Sequence, residues 1–180
     1  MKKKINIINN FKNIIIKDNT LVLCDIDETL VKIKNIDKKW WIKTKNFFSG
    51  FMEKEKEIEF ASFSYWLKYV SSHKAEFTDK EGFLYLLNQI KKTNNSKIIF
   101  ITSRPKNCIP ITKKHFYDLN LDHNLYEIYH LNFKPKGEFV YNNIDISNFE
   151  NILFFDDHES NLENVFKYFG NLITLYKFVI

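Results

Sequence analysis

Two aspartates, Asp25 and Asp27, stand one residue apart at the end of the apolar run Leu21-Val22-Leu23-Cys24, with Thr29 and Leu30 just beyond. A second apolar run, Ile152-Leu153-Phe154-Phe155, ends in the same way on Asp156 and Asp157. Short apolar runs of this kind read as buried strands, and in a parallel sheet the carboxyl ends of the strands open on the crevice where ligands bind. Carboxylates delivered there so close together repel one another unless a cation lies between them or one keeps a proton. Hard carboxylate oxygens suit Mg²⁺, which takes one or two carboxylates and fills its remaining positions with phosphate oxygens and water. The chemistry these residues point to is therefore that of a bound divalent cation, for which Mg²⁺ is the fitting choice.

The elements that must position them can be read along the chain. Apolar stretches rich in β-branched or aromatic residues predict strands at residues 20–24, 97–101, 125–131 and 151–155, and a fifth at 172–178. Thr78-Asp79-Lys80-Glu81 supplies an N-cap and early acidic residues ahead of a helical stripe of Phe83, Leu84, Leu86, Leu87 and Ile90. Pro110 suits the first turn of a helix running to about Leu119; further helices are predicted over 137–144 and over 160–169, the last ended by Gly170. Strands alternating with helices imply an α/β fold with a Rossmann-like parallel sheet flanked by helices. Residues 34–77 break the rhythm, with Trp40, Trp41, Phe63 and Trp66 among their many aromatics. They are expected to form a helical insertion without a strand of its own, its aromatic stripe packing against the core. The expected division is thus a core of residues 1–33 and 78–180 carrying an insertion of 34–77.

The segment Asp25-Ile26-Asp27-Glu28-Thr29 resembles the first motif, D-x-D-x-T, of the haloacid dehalogenase superfamily. Ile101-Thr102-Ser103-Arg104 is similar to the second motif, Lys136-Gly137-Glu138 to the third, and Phe155-Asp156-Asp157 to the fourth, in the family's order. Thr102-Ser103-Arg104, Thr112, Leu119, Lys136-Gly137 and Asp156-Asp157 followed by Asn161-Leu162 resemble one branch of that superfamily whose function is unknown. The likeness runs over about residues 21–166, the insertion matching only by its position and its tryptophan-rich start.

The resemblance implies a phosphatase in which Asp25 is the nucleophile, transiently phosphorylated, and Asp27 the acid and base. It further implies Mg²⁺ held by Asp25, the backbone carbonyl of Asp27 and Asp156, with Asp157 supporting the site. Thr102 and Lys136 would stabilise the transferring group, and Ser103 and Arg104 would join them in binding substrate. Lys134 is a rival to Lys136, which is preferred because Gly137 lets the chain turn beside it. Asn161 borders the expected site, and His158 reads as a helix-start residue. The insertion, lying between the first and second motifs, would be a small helical cap that shields the site from water and favours a small phosphorylated substrate. The same residues leave open a nucleic-acid-end phosphatase, phosphoryl transfer to another acceptor, and a non-catalytic binding or regulatory protein of the same fold.

Composition sets the outer bounds. A length of 180 residues fits one core domain with a modest insertion, and 44% hydrophobic with 27% charged residues is ordinary for a globular protein. The net charge of +5 comes from lysines that are nowhere densely clustered, in a chain whose Lys, Asn, Ile and Phe usage is what AT-rich coding produces; it reads as a solvated surface rather than a nucleic-acid interface. Against that bias the one arginine, Arg104, stands out. Cys24 and Cys108 are too few for a disulfide framework and read as free thiols. The start, Met1-Lys2-Lys3-Lys4, resembles the charged end of a signal peptide, but Asn6, Asn9, Asn10 and Lys12 interrupt any apolar region behind it. A soluble cytoplasmic protein, without a membrane partner, is expected; the sequence does not speak to oligomeric state.

Overall fold

The computed structural model describes residues 3–180; the reading of Met1 and Lys2 as part of a charged start lies outside the described residues. A six-stranded sheet runs in the order β1-β8-β7-β2-β5-β6, built from β1 (Ile5–Ile8), β2 (Thr20–Cys24), β5 (Lys97–Thr102), β6 (Glu127–His130), β7 (Asn151–Asp156) and β8 (Thr174–Phe178). Every pairing in it is parallel. This is the α/β, Rossmann-like architecture expected from the alternation of strands and helices. The central strands are apolar without interruption because both of their faces are covered. The two-residue period still sorts the side chains. Val22, Cys24, Phe100 and Phe155 enter one core with Phe11, Phe83 and Phe116. Leu21, Leu23, Ile99, Ile101 and Phe154 enter the other, with Val140, Leu162 and Val165 from the helices on that side. Each large side chain withdrawn from water in this way is worth about 1.5–3 kcal/mol.

The flanking helices are α3 (Lys80–Lys92), α4 (Ile109–Asp118), α5 (Lys136–Asn143) and α6 (Glu159–Phe169). Asp79 caps α3 by accepting from the Gly82 amide, and its other oxygen accepts from the Phe11 amide at 2.7 Å, tying the amino-terminal segment to the helix. Strand β1 escaped the sequence reading. Its four residues pair on one side only, at the sheet's edge against β8, so they lack the continuous apolar run that marks the buried strands.

The insertion corrects one expectation. It contains α1 (Lys38–Ser49) and α2 (Glu55–Ser72), but residues 75–77 form a strand, β4 (Ala75–Phe77), antiparallel to β3 (Val31–Ile33). Val31 and Ile33 are buried on either side of Lys32, and Ala75 and Phe77 on either side of Glu76. Three residues are too few for that alternation to stand out in a sequence. The hairpin gives the insertion a two-stranded stem. Within it the aromatic stripe joins α1 to α2: Trp40 stacks on Tyr65 at 5.7 Å, and Trp41 on Trp66 at 6.1 Å. Among the described residues no helix is long and apolar enough to cross a membrane.

Candidate active site

Strand β2 lies between β5 and β7, so the chain leaves it at a point where the connections diverge, the place where open α/β sheets bind ligands. Register brings the strand ends level. Cys24 pairs with Phe100 on one side and with Phe155 on the other, so the next residue, Asp25, emerges beside Asp156. The Asp25 amide donates to the Phe155 carbonyl at 2.9 Å, continuing the ladder to the carboxylate itself.

Lys136, at the start of α5, is buried to 1% exposure. Its Nζ donates to Asp25 Oδ1 and, at 2.6 Å, to Asp156 Oδ2. Gly137 explains how the lysine reaches them, though not by the sharp turn expected of it. A Cβ there would lie 2.4 Å from the Asn164 carbonyl oxygen; the glycine lets α5 and α6 touch backbone to backbone, and its amide donates to Asn164 Oδ1 at 2.7 Å. Asp156 is held from its other side by the His158 amide at 2.8 Å and by Asn161 Nδ2 at 3.0 and 3.1 Å.

Oxygens of Asp25, Asp156 and Asp157 all lie within 4.8 Å of one another. Asp157, read from sequence only as support, thus brings an oxygen into the same cluster. Burial, opposed by Lys136 and reinforced by Asp156 and Asp27, lifts the Asp25 carboxyl to about 7. Burial and the charges of Asp25, Asp156 and Glu28 lift Asp157 to about 9. For Lys136 the two carboxylates outweigh burial and strengthen its hold on its proton. Negative charge is in excess here, and the donors are hard oxygens. That is the environment a divalent cation such as Mg²⁺ suits.

Asp27 faces Arg104. The guanidinium donates Nε to Asp27 Oδ2 at 2.8 Å and Nη2 to Oδ1 at 2.6 Å, a two-pronged pair. Burial pushes the Asp27 carboxyl up, but the charge and hydrogen bonds of Arg104 overcome it and hold the group below its ordinary value. Arg104 is itself over-determined. Nη1 donates to Thr112 Oγ1 at 2.9 Å, Nη2 donates to His115 Nδ1 at 3.0 Å, and the guanidinium lies 5.5 Å from the centre of the Trp66 ring. Because arginine only donates, His115 Nδ1 must be unprotonated, which leaves Nε2 to donate to the Val70 carbonyl. Thr112 in turn meets His130 Nε2 at 2.9 Å. Trp66 and Val70 belong to α2, so this network runs from Asp27 into the insertion. Its histidines were not legible in the sequence, whereas the solitary arginine and Thr112 stand out there without their contact being foreseen.

Above these groups is a cavity of about 330 Å³. Asp25, Asp27, Ser103, Arg104, Lys136 and Asp157 line it. Asp156 is fully buried within the charged cluster. Thr102, at the end of β5, is also buried, and its hydroxyl accepts from the Arg104 amide at 3.2 Å instead of lining the cavity. His158 borders the cavity and Asn161 lines it beside Asp157. Lys134 is not part of the lining. The expected cap contributes Trp41, Phe63 and Trp66 to the lining, and the loop before α5 adds Phe133, which the sequence reading did not single out. Phe133 has a left-handed backbone, φ 61°, a conformation costing a bulky residue on the order of 1–3 kcal/mol.

No protein-family model and no curated protein matches the chain. Among solved structures it is similar to a chain of the Pnkp1/Rnl/Hen1 complex, with a TM-score of 0.50 and 15% identity. The match covers 90% of this chain and 46% of that one, so this chain spans less than half the length of the protein it resembles. At that identity the likeness bears on the fold alone.

Proposed function

We propose that this protein is a Mg²⁺-dependent phosphomonoester hydrolase of the haloacid dehalogenase type, with Asp25 as its nucleophile. The observation that carries the reading is the convergence, at the ends of β2 and β7, of Asp25 with Asp156, Asp157 and the buried Lys136. The carboxylate cluster would hold the cation, which supplies charge neutralisation for the phosphoryl oxygens. Asp25 attacks phosphorus in line with the ester oxygen, so that the new bond to a carboxylate oxygen forms as the P–O bond to the alcohol breaks. Asp27 gives the departing oxygen its proton. Water then attacks the phosphorus of the aspartyl-phosphate, Asp27 takes the water's proton, and inorganic phosphate leaves with Asp25 restored.

Lys136 lies against the nucleophile and can receive the charge gathering on the transferring group. Asp27 can act as an acid only after one of its oxygens leaves Arg104. An incoming phosphoryl group provides the guanidinium with a second anion and so favours that exchange. The cavity's modest volume and the insertion's share of its walls support a small substrate. The test is hydrolysis of p-nitrophenyl phosphate with and without Mg²⁺, beside Asp25→Asn. Metal-dependent turnover that falls to background in a folded Asp25→Asn protein is expected; near wild-type turnover in that variant would refute the assignment of the nucleophile.

A further inference from the structure

We infer that the cavity selects phosphate esters whose alcohol carries a planar aromatic ring, with the insertion's rings and Phe133 as the specificity-determining wall. The inference rests on the phosphohydrolase reading for the placement of the phosphoryl group beside Asp25 and Lys136. It concerns the rest of the substrate.

Three rings of the wall are nearly parallel neighbours: Trp41 and Trp66 are inclined by 25°, and Phe63 and Trp66 by 26°. Phe133 meets Phe63 edge-on, at 5.2 Å and 86°. Among the described residues it is the ring contact that joins the insertion to the loop before α5, and both its members line the cavity. Val31 and Ile33 of the hairpin stem add aliphatic surface. A flat ring lies against such surfaces with stacked or edge contacts. On this wall a polyhydroxylated alcohol would find no acceptor and no donor beyond the two indole N–H groups, whereas a flat ring is matched over its whole face.

Backbone conformation points the same way. Seven non-glycine residues have positive φ among the described residues, and five of them are asparagines, which tolerate it. The other two, Glu28 and Phe133, both line this cavity. Phe133 keeps an unfavourable backbone and leaves 63% of its surface exposed, a poor bargain for a residue that serves packing alone. Strain of this kind gathers at ligand clamps.

The experiment measures binding of non-hydrolysable phosphonates by calorimetry with Mg²⁺ present: 2-phenylethylphosphonate, n-butylphosphonate and 2-hydroxyethylphosphonate. The three share a headgroup and differ in the body. The ring compound is expected to bind about tenfold or more tightly than the hydroxyethyl compound, and more tightly than the butyl one. In Phe63→Ala and in Phe133→Gly that ratio should fall to about threefold or less. Glycine is chosen at the exposed position 133 because it accepts the left-handed backbone, and circular dichroism would verify that each variant is folded. Equal affinity for all three phosphonates, or equal affinity of the phenyl and butyl compounds, would overturn the inference, as would a ratio unchanged in both variants. Hydrolysis of 2-phenylethyl phosphate, followed in parallel, separates the two readings. Ring-selective binding without hydrolysis would refute the phosphatase and leave the pocket assignment standing, whereas hydrolysis without selectivity would do the reverse.

Discussion

In metal-free protein, Asp157→Asn should raise stability. The folded Asp157 carboxyl is lifted to about 9 from an ordinary 3.8, chiefly by burial and then by Asp25, Asp156 and Glu28. A carboxyl whose folded value is raised binds more protons in the native state, so stability falls as pH rises above its unfolded value. At pH 7 the difference of about three units sets a ceiling of about 4 kcal/mol on the cost of ionising this group in the fold. The side chain retains 15% exposure, and solvent screening brings the expected gain to about 1–2 kcal/mol. For a protein of this length that is a rise of about 3–6 °C in Tm. The assay is thermal unfolding by circular dichroism in EDTA, at pH 7 and pH 5. The gain should shrink by more than half at pH 5, where little of the penalty has yet developed. With Mg²⁺ added the ranking should narrow or reverse, because a cation that binds the native cluster stabilises wild type more than a variant lacking one of its oxygens. A lower metal-free Tm in the variant at pH 7, or a gain that grows toward pH 5, would refute the account of this cluster as an uncompensated excess of negative charge.

Two further outcomes follow from the same geometry. His115 is held down to about 4 by burial and by Arg104, so the unfolded chain takes the proton first as pH falls through 6.5, and stability is lost progressively between about 6.5 and 4. Wild type should therefore lose about 1–3 kcal/mol more than His115→Gln across that window in urea denaturation, and parallel losses in the two proteins would show that this histidine is not the acid-sensitive element. Gly137→Ala places a Cβ against the Asn164 backbone, so it should destabilise by about 1–3 kcal/mol and, on the proposed function, depress hydrolysis of p-nitrophenyl phosphate by moving Lys136. An unchanged Tm together with unchanged turnover would remove the close helix contact from the explanation of how Lys136 is placed.

The strands that carry the site were legible because burial on both faces leaves an uninterrupted apolar run, as in Leu21-Val22-Leu23-Cys24 and Ile152-Leu153-Phe154-Phe155. The edge strand β1 and the two stem strands were not. Ile5–Ile8 is covered on one side by β8 and otherwise half-exposed, and β3 and β4 owe their form to pairing with each other across the whole insertion. Such pairing is a long-range property that no local window contains. The helix starts were readable where a side chain caps them, as Asp79 does for α3.

The carboxylates were legible because two apolar runs each end in a close pair of them, and Lys136 because the order of the motifs along the chain carries a resemblance that needs no knowledge of distances. What could not be read is the partnership of Asp27 with Arg104. The two are 77 residues apart, and nothing local in either segment says that the guanidinium turns to the carboxylate instead of toward a ligand. That partnership matters because it connects chemistry to the insertion. Arg104 touches Asp27 at one end and, through Trp66 and the His115 contact with Val70, α2 at the other. On the proposed mechanism, this is the guanidinium that must release Asp27 before it can serve as an acid. A single side chain thus joins the proposed proton donor to the insertion, which gives a physical reason for the chain's only arginine to stand where it does.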